Sequence, residues 1–158
     1  MSFHIQFVCL GNICRSPMAD VIFRDLAQRE GVGENFNVTS TGIGNWHEGH
    51  GADPRTVAAL ERAGYDGSAH MARQVTPQDI SEQDLFIALD RSHERELKAQ
   101  GAKNVELLTD YDDAADSPDV FDPYHSNDAV FDEVLQQIER SSRNLLTSLI
   151  GREGVARG

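Results

Sequence analysis

Short apolar runs typical of strands alternate along the chain with stretches in which apolar residues recur at helical spacing. Residues 4–8 are rich in Phe, Ile and Val, which predicts a first strand. After a break at Gly11 and Asn12, apolar residues recur every three or four positions, which predicts a helix. Ser16 is the candidate N-cap of that helix, and Pro17 suits its first position. The chain is therefore predicted to begin with a strand, a tight loop and a helix.

The remainder of the chain continues the same alternation of strand and helix. Further strands are predicted at residues 36–40, 85–89 and 105–108, and further helices at residues 53–63, 92–100 and 128–150. Residues 41–52 and 110–127 are rich in turn-forming residues and are predicted to be loops. Such alternation is typical of a parallel sheet with right-handed crossovers. We therefore expect a three-layer α/β fold, with a small four-stranded parallel sheet flanked by helices.

A single domain over residues 1–150 is the expected organisation, because 158 residues is an ordinary length for one domain. Residues 151–158 are expected to form a frayed C-terminal tail. The longest apolar runs fall far short of the roughly 20 residues that a membrane-spanning helix needs, so no membrane insertion is expected. The N-terminus lacks a basic region followed by an apolar core, which argues against export by a standard signal.

Composition narrows the range of compartments and partners. Two cysteines are too few for a disulfide framework, which favours a reducing cytoplasm and leaves secretion by a non-standard route open. The formal net charge of -12 argues against nucleic acid as a partner, because that binding depends on Lys and Arg side chains that neutralise phosphates. A phosphorylated ligand would therefore have to be bound by a local field at one site.

Candidate chemistry is expected where the first strand ends, because ligands of parallel α/β sheets bind at the carboxyl ends of the strands. Residues 9–17 read Cys-Leu-Gly-Asn-Ile-Cys-Arg-Ser-Pro. Gly11 and Asn12 tolerate the backbone angles that turn successive N–H groups inward, and such a nest binds an oxyanion. The following helix directs its positive end to the same point, and Arg15 can donate two parallel hydrogen bonds to phosphate oxygens.

Cys9 lies at the base of this predicted oxyanion site. A helix N-terminus and converging donors favour the thiolate form of a cysteine, which is the nucleophilic form. A thiolate and a phosphate held by the same field are aligned for attack, which predicts a phosphocysteine intermediate. The alternative is a buried cysteine at a strand end with no chemical role. The combination with Gly11, Asn12, Ser16 and Pro17 between a strand and a helix favours the nucleophile.

Two motifs carry a resemblance to a known family. Residues 9–17 resemble the phosphate-binding loop of the low-molecular-weight protein tyrosine phosphatases of bacterial type, and Asp122-Pro123-Tyr124 resembles their general-acid motif. The resemblance extends from about residue 4 to residue 149, with both motifs in the family's order. It implies that Cys9 is the nucleophile, that Arg15 clamps the phosphate, and that Asp122 is the general acid and base.

The resemblance also implies roles for the residues that surround these three. The implied substrate-binding residues are Leu10, Gly11, Asn12, Ile13, Cys14, Ser16, Trp46 and Tyr124. Ser16 would hydrogen-bond the Cys9 thiolate, while Ser40 and His70 would form a network that supports Asn12. The site would therefore consist of a reactive centre and a polar network that holds its loop in shape.

Trp46 and Tyr124 fall in predicted loops, where a large aromatic side chain has no obvious core to join. By the resemblance they form the walls of the cleft and favour the flat ring of phosphotyrosine over short phosphoserine. The alternative for Trp46 is that it only anchors its own loop. His125 stands where the family often has a second tyrosine, which leaves the specificity of the rim open.

Cys14 has two readings. It is either a packed small residue or, as the resemblance implies, a redox partner that forms a reversible disulfide with Cys9 and protects it from over-oxidation. His47 and His50 superficially suggest zinc, but they are three residues apart in a glycine-rich loop and do not match His-Glu-x-x-His on a helix. No metal and no cofactor are therefore expected.

The implied partners are tyrosine-phosphorylated proteins, among them a cognate tyrosine kinase. Three alternatives remain: an arsenate reductase on the same fold, a protein-arginine phosphatase, and a phosphoprotein-binding module without catalysis. Thioredoxin-linked arsenate reductases need further relay cysteines, and none follows Cys14. Arginine phosphatases typically have threonine at the position of Ile13, so Ile13 favours phosphotyrosine.

Overall fold

The computed structural model describes residues 2–152. Its four strands are β1 (Phe3–Cys9), β2 (Phe36–Gly42), β3 (Leu85–Ala88) and β4 (Val105–Leu107). They form one parallel sheet in the order β2-β1-β3-β4. The helices are α1 (Arg15–Arg29), α2 (Pro54–Arg62), α3 (Pro77–Glu82), α4 (Arg91–Ala99) and α5 (Asp128–Arg152). The predicted four-stranded parallel sheet flanked by helices is confirmed.

The sheet separates two hydrophobic cores because side chains alternate along its strands. Ile5 and Phe7 of β1 belong to the larger core, which α1 and α5 complete. Val8 belongs to the smaller core, together with Leu97 of α4 and Leu107 of β4. Both faces of the sheet are therefore covered, which makes three layers and leaves the carboxyl ends of the strands as the accessible edge.

The start of α1 differs from the prediction. The helix begins at Arg15, and its N-cap is Cys14, which makes no side-chain capping hydrogen bond. Ser16 was predicted as the N-cap, and this is wrong because its hydroxyl is turned into the protein, within 3.0 Å of the Cys9 sulfur. The uncapped N–H groups of the first turn are thus left free to bind an anion.

Several short elements were not predicted or depart from the predicted boundaries. Helix α3 was not predicted, although Thr76 and Asp79 form a capping box at its start. Strand β4 ends at Leu107 because a 3-10 turn, Leu108–Tyr111, begins there and takes up the start of the predicted loop at residues 110–127. A further 3-10 turn, Gly33–Asn35, precedes β2, which continues to Gly42 instead of ending at residue 40.

The ends of α2 were predicted correctly. Asp53 caps the helix by accepting a hydrogen bond from the backbone N–H of Arg55, and Gly64 follows it with a positive φ of 91°. Helix α5 extends two residues beyond the predicted end, and the rest of the predicted frayed tail lies outside the described residues. The domain range of 1–150 stays a prediction. Within residues 2–152, no helix is both long and apolar enough to cross a membrane.

Candidate active site

The loop between β1 and α1, residues 9–15, is here called the phosphate loop. Its centre is Asn12, which is fully buried and has a positive φ of 59°. Its side-chain Nδ2 donates to Ser16 Oγ at 2.8 Å and to Ser40 Oγ at 3.1 Å, and its Oδ1 accepts from the backbone N–H of Arg73 at 3.0 Å. The ring Nε2 of His70 lies 2.8 Å from the Asn12 carbonyl. The predicted supports Ser40 and His70 therefore do meet at Asn12.

Gly42 gives the phosphate loop the space that it needs. A Cβ atom at this position would lie 2.9 Å from the carbonyl oxygen of Leu10 and 3.1 Å from the backbone nitrogen of Asn12. The loop backbone thus packs directly on the end of β2, where Ile43 N–H donates to the Cys9 carbonyl at 2.9 Å. The sequence analysis missed this contact, although a glycine two residues after the end of the predicted strand was a signal for it.

Cys9 is the last residue of β1 and is only 3% exposed. Its Sγ lies 3.0 Å from Ser16 Oγ. The Ser16 hydroxyl already accepts from Asn12, and it has one proton, which can point either to the Thr41 carbonyl at 3.3 Å or to the sulfur. Ser16 can therefore donate a hydrogen bond to a Cys9 thiolate without losing its bond from Asn12.

The guanidinium of Arg15 is fixed by the protein. It is buried, and its Nη1 donates to Asp90 Oδ2 at 3.1 Å and to the Val120 carbonyl at 2.9 Å. Its Nη2 lies 3.6 Å from Asp122 Oδ2. These partners hold one edge of the guanidinium and leave the remaining N–H groups free to bind a ligand.

Asp90 is a functional residue that the sequence analysis missed. Burial acts to raise its pKa, but the hydrogen bonds from Ser92 and from the backbone N–H of His93, together with the charge of Arg15, hold the pKa below its ordinary value. Asp90 is thus an anion that balances the buried Arg15. It directly follows the buried run that ends at Leu89, so the same strand-end rule that led to Cys9 could have found it.

His93 lies behind Asp90 and is 3% exposed. Its Nδ1 is 3.3 Å from Asp90 Oδ1, but the arrangement is not that of a hydrogen bond. Burial and the charge of Arg15 lower the pKa of His93 to about 4. The imidazole is therefore neutral at physiological pH.

Asp122 lies above the phosphate loop on the long segment between β4 and α5. Its carboxylate is partly exposed, and its Oδ1 accepts from the backbone N–H of Tyr124 at 3.1 Å. Val120, two residues earlier, donates its N–H to the Leu89 carbonyl at 2.8 Å and so ties this segment to the sheet. Asp122 is thus near Arg15 and also accessible to a ligand.

Cys9, Arg15 and Asp122 line one cavity of about 280 Å³. Its other lining residues are Leu10, Gly11, Ile13, Cys14, Trp46, His47, Tyr124 and His125. Six of the predicted substrate-binding residues are in this set. The other two, Asn12 and Ser16, are fully buried and contact the phosphate loop from behind instead of lining the cavity.

The rim of the cavity carries exposed aromatic and histidine side chains. Trp46 is 65% exposed, and its ring also packs on Gly44, where a Cβ atom would lie 1.9 Å from it. Trp46 therefore both lines the cavity and anchors its own loop. The ring of Tyr124 lies between His47 and His125, with centroid distances of 6.3 and 5.0 Å.

Arg55, which the sequence analysis did not single out, ties the segment that follows Asp122 to the start of α2. Its Nη2 bonds the Tyr124 carbonyl and Asp53 Oδ2, both at 2.9 Å, and its Nη1 donates to the Ser126 carbonyl at 3.0 Å. Its guanidinium also stacks 5.6 Å from the centroid of the Tyr124 ring. One side chain of α2 thus positions the wall that follows Asp122.

Cys14 and Cys9 are both free thiols and both buried. Burial, followed by the charge of Asp53, raises the pKa of Cys14 to about 12. Cys14 is therefore a neutral thiol at physiological pH. Among residues 2–152, no group of three or more His, Cys, Asp or Glu side chains is arranged to hold a metal ion.

Three comparisons with known proteins bear on this site. The statistical model of one family, low molecular weight phosphotyrosine protein phosphatase, matches residues 4–155. A low molecular weight protein-tyrosine-phosphatase of Streptomyces coelicolor is 43% identical over 156 residues, which cover 94% of this chain and 94% of that protein. The crystal structure of YfkJ from Bacillus subtilis superposes with a TM-score of 0.90 at 38% identity, covering 97% and 98% of the two chains.

A structure of YwlE, an arginine phosphatase that is also found in Bacillus subtilis, has the same fold. It superposes with a TM-score of 0.87 at 29% identity, and the superposition covers 98% of this chain and 100% of the YwlE chain. The fold is thus common to phosphatases whose names give different substrates, and the fold alone does not select the substrate.

The comparisons confirm the resemblance that the two sequence motifs carried. The matched region includes the phosphate loop and Asp122, and the relatives named above come from bacteria. The predicted fold and the predicted protein tyrosine phosphatase activity are confirmed with it. This chain belongs to the low molecular weight phosphotyrosine protein phosphatase family.

Proposed function

We propose that this chain hydrolyses phosphotyrosine in proteins, with Cys9 as nucleophile, Arg15 as phosphate clamp, and Asp122 as general acid and base. The observation that carries the proposal is their convergence on one cavity of about 280 Å³, at the carboxyl end of β1 and the N-terminus of α1. Family membership supports the same assignment, because both motifs lie within the matched region.

In the first step, the phosphate dianion is bound by N–H groups of the phosphate loop and by the free edge of Arg15. The Cys9 sulfur attacks phosphorus, so that the S–P bond forms while the bond to the phenolic oxygen breaks. Asp122 gives its proton to the leaving phenolate. Ser16 is placed to stabilise the sulfur as a thiolate, since its hydroxyl lies 3.0 Å away.

In the second step, Asp122 acts as a base and takes a proton from water. The water oxygen attacks phosphorus, the S–P bond breaks, and Cys9 returns to the thiolate with release of inorganic phosphate. Arg15 can bind the phosphoryl group in both steps, because Asp90 and the Val120 carbonyl hold its guanidinium in one position.

The depth of Cys9 supports phosphotyrosine over phosphoserine. Cys9 as a residue is 3% exposed, and a sulfur this deep in the cavity is reached by a long aromatic side chain and not by a short one. Trp46 and Tyr124 offer flat walls to the phenyl ring. Leu10, Gly11, Ile13 and Cys14, which are also assigned to substrate binding, line the same cavity.

Cys14 is proposed as the redox partner of Cys9. After peroxide oxidises Cys9 to a sulfenic acid, the sulfur of Cys14 can displace water and form a disulfide that a thiol later reduces. Both cysteines are free thiols that line the same cavity, and this shared location supports the role. A Cys14→Ala variant is expected to lose the recovery of activity by dithiothreitol after peroxide treatment.

The proposed substrates are tyrosine-phosphorylated proteins, among them a cognate tyrosine kinase, and the proposed compartment is the cytoplasm. Two cysteines held as free thiols suit a reducing compartment. The whole protein has a formal net charge of -12, which repels a phosphate. Attraction of the phosphate therefore depends on the phosphate loop and Arg15.

The experiment that tests the proposal compares three peptides without added metal. Phosphotyrosine, phosphoserine and phosphoarginine peptides are incubated with the intact protein and with Cys9→Ser, and phosphate release is measured. We expect release from phosphotyrosine alone and none from the variant. Preferred hydrolysis of phosphoarginine would instead indicate an arginine phosphatase, as YwlE is named. No release from any peptide would turn the assignment to arsenate reduction or to phosphoprotein binding.

A further inference from the structure

Asp79 is a buried carboxylate outside the cavity, and both of its oxygens accept hydrogen bonds from other residues. It is 8% exposed and belongs to α3. Its Oδ2 accepts from Arg73 Nη1 at 2.8 Å and from the N–H and Oγ of Thr76 at 2.8 and 2.9 Å. Its Oδ1 accepts from Arg73 Nη2 at 3.0 Å and from Gln6 Nε2 at 3.1 Å. Asp79 thus joins three segments of the chain.

Arg73 connects this carboxylate to the phosphate loop. Its guanidinium is held by Asp79 in two parallel bonds, and its own backbone holds the residues around the loop. The Arg73 N–H donates to Asn12 Oδ1 at 3.0 Å, and the Arg73 carbonyl accepts from Gly42 N–H at 2.9 Å. Arg73 is therefore bonded both to Asn12, which has the positive φ, and to Gly42, on which the loop packs.

Gln6 provides a second connection from Asp79 to the site. It is fully buried in β1, and its Oε1 accepts from Thr41 Oγ1 at 2.7 Å. The Thr41 carbonyl in turn lies 3.3 Å from the hydroxyl of Ser16, whose one proton can point either to this carbonyl or to the Cys9 sulfur. Two hydrogen-bonded routes that start at Asp79 therefore end on Asn12 and Ser16.

We infer that Asp79 is a positioning residue for the phosphatase reaction. By fixing Arg73 and Gln6, it sets the orientation of Asn12 and Ser16 around Cys9, although it touches neither the substrate nor the reacting atoms. The inference rests on the proposed function of the phosphate loop. No described residue other than Asp79 bonds both Arg73 and Gln6 through its side chain.

An Asp79→Asn substitution separates this role from simple space filling, because the two side chains have nearly the same shape. The amide presents an NH2 group to donors from Arg73, Gln6 and Thr76, and it removes the charge that balances Arg73. Since small displacements of reacting groups slow chemistry strongly, we expect kcat to fall about tenfold. KM is expected to change less than kcat, because the phosphate contacts themselves remain.

Asp112 offers a matched control. It is 7% exposed and likewise accepts from an arginine, a glutamine and a backbone N–H, in this case those of Arg140, Gln137 and Ala114. Its side-chain partners lie on α5 and have no bond to the phosphate loop. Asp112→Asn is expected to lower the urea midpoint about as much as Asp79→Asn while leaving kcat at the wild-type level.

The rate at which iodoacetate alkylates Cys9 gives a readout that does not depend on turnover. The loop binds the carboxylate of this reagent as it binds phosphate, and mass spectrometry identifies the modified cysteine. Asp79→Asn is expected to slow this alkylation and to weaken protection by inorganic phosphate, while uncharged iodoacetamide is affected less. Asp112→Asn is expected to match the wild type in both.

The outcomes separate the inference from the proposed function. Equal losses of stability in the two variants, with wild-type kcat and alkylation in Asp79→Asn, would overturn the positioning role. If Asp79→Asn does not fold, Arg73→Lys keeps the backbone bonds and loses the paired contact, and wild-type kcat in that variant overturns the inference too. Peptide hydrolysis by Cys9→Ser would instead refute the proposed function, whatever the Asp79 variants do.

Discussion

The phosphate loop and the rim of the cavity are built from opposite kinds of contact. In the loop, Asn12 is fully buried and Arg15 is 3% exposed, and their polar side-chain atoms bond partners from distant segments. At the rim, Trp46 is 65% exposed and Tyr124 is 40% exposed. The loop is fixed by many buried hydrogen bonds, whereas the rim depends on ring packing and on Arg55.

This difference assigns different tasks to the two regions. Buried, fully bonded polar groups are held in one arrangement, which suits groups that must meet a transition state within a fraction of an ångström. Exposed side chains with few buried contacts have low local stability and can adapt to different protein substrates. Chemistry is thus expected to be sensitive to small changes in the loop, and substrate choice to changes at the rim.

The strongest way to break the comparison is Arg15→Lys. Lysine keeps a charge but cannot hold Asp90 and Val120 while it also donates two bonds to phosphate. We expect kcat/KM to fall on the order of 10³-fold, close to 4 kcal/mol of transition-state stabilisation. Phosphate release from a phosphotyrosine peptide measures the loss, and near-normal turnover would remove Arg15 from its assigned role.

The pH dependence of stability tests the buried side of the comparison at His93, which lies beside Asp90, the partner of Arg15. Since its pKa is lowered from 6.5 to about 4 by burial and by Arg15, the folded state favours the neutral ring. The stability from this group is complete above pH 6.5 and is lost as the pH falls toward 4, by about 3 kcal/mol in total. Urea unfolding at pH 7 and pH 4 should show a smaller loss in His93→Asn, and an equal loss in both proteins would contradict the prediction.

Asp122→Asn tests the residue that lies between the two regions, near Arg15 on one side and bonded to Tyr124 on the other. Without an acid, a poor leaving group departs as an unprotonated phenolate, so hydrolysis of phenyl phosphate is expected to slow about 10²-fold, a little under 3 kcal/mol. p-Nitrophenyl phosphate needs less help and should slow much less. Steady-state kcat for the two esters measures the contrast, and equal losses would count against Asp122 as the acid.

The smallest expected effect is at the rim, in Trp46→Ala. Removal of one aromatic wall costs about 1 kcal/mol of contact with the substrate ring, which raises KM for a phosphotyrosine peptide about fivefold. kcat should stay near the wild-type value, because Cys9 and Arg15 have no side-chain bond to Trp46. A fall in kcat as large as that in Asp122→Asn would show that rim and loop are not separate.

The fold was predictable from the sequence because its signals are local. Period-two and period-3.6 patterns reveal strands and helices, and the segment between β1 and α1 carries its own glycine, asparagine and arginine. The six residues of α3 were missed since they make too short a helix for periodicity, although Thr76 and Asp79 marked its start. Ser16 was misread as a cap because caps and buried hydroxyls use the same residue types.

The support behind the site was less predictable. Asn12 and Arg73 are 61 residues apart in the chain, and Arg15 and Asp90 are 75 apart, so no local pattern joins them. Ser40 and His70 were found only through the family resemblance. Almost any residue type can provide a backbone donor such as the Arg73 N–H, so the sequence alone does not identify such a donor.

The fixed guanidinium of Arg15 has a consequence for the enzyme at work. Its position is set by Asp90 and by the Val120 carbonyl, so the anion site does not need the phenyl ring in order to form. Inorganic phosphate, the second product to leave, meets the same donors as the substrate phosphate. The enzyme should therefore be inhibited by its own product, and its rate of turnover should fall as inorganic phosphate accumulates.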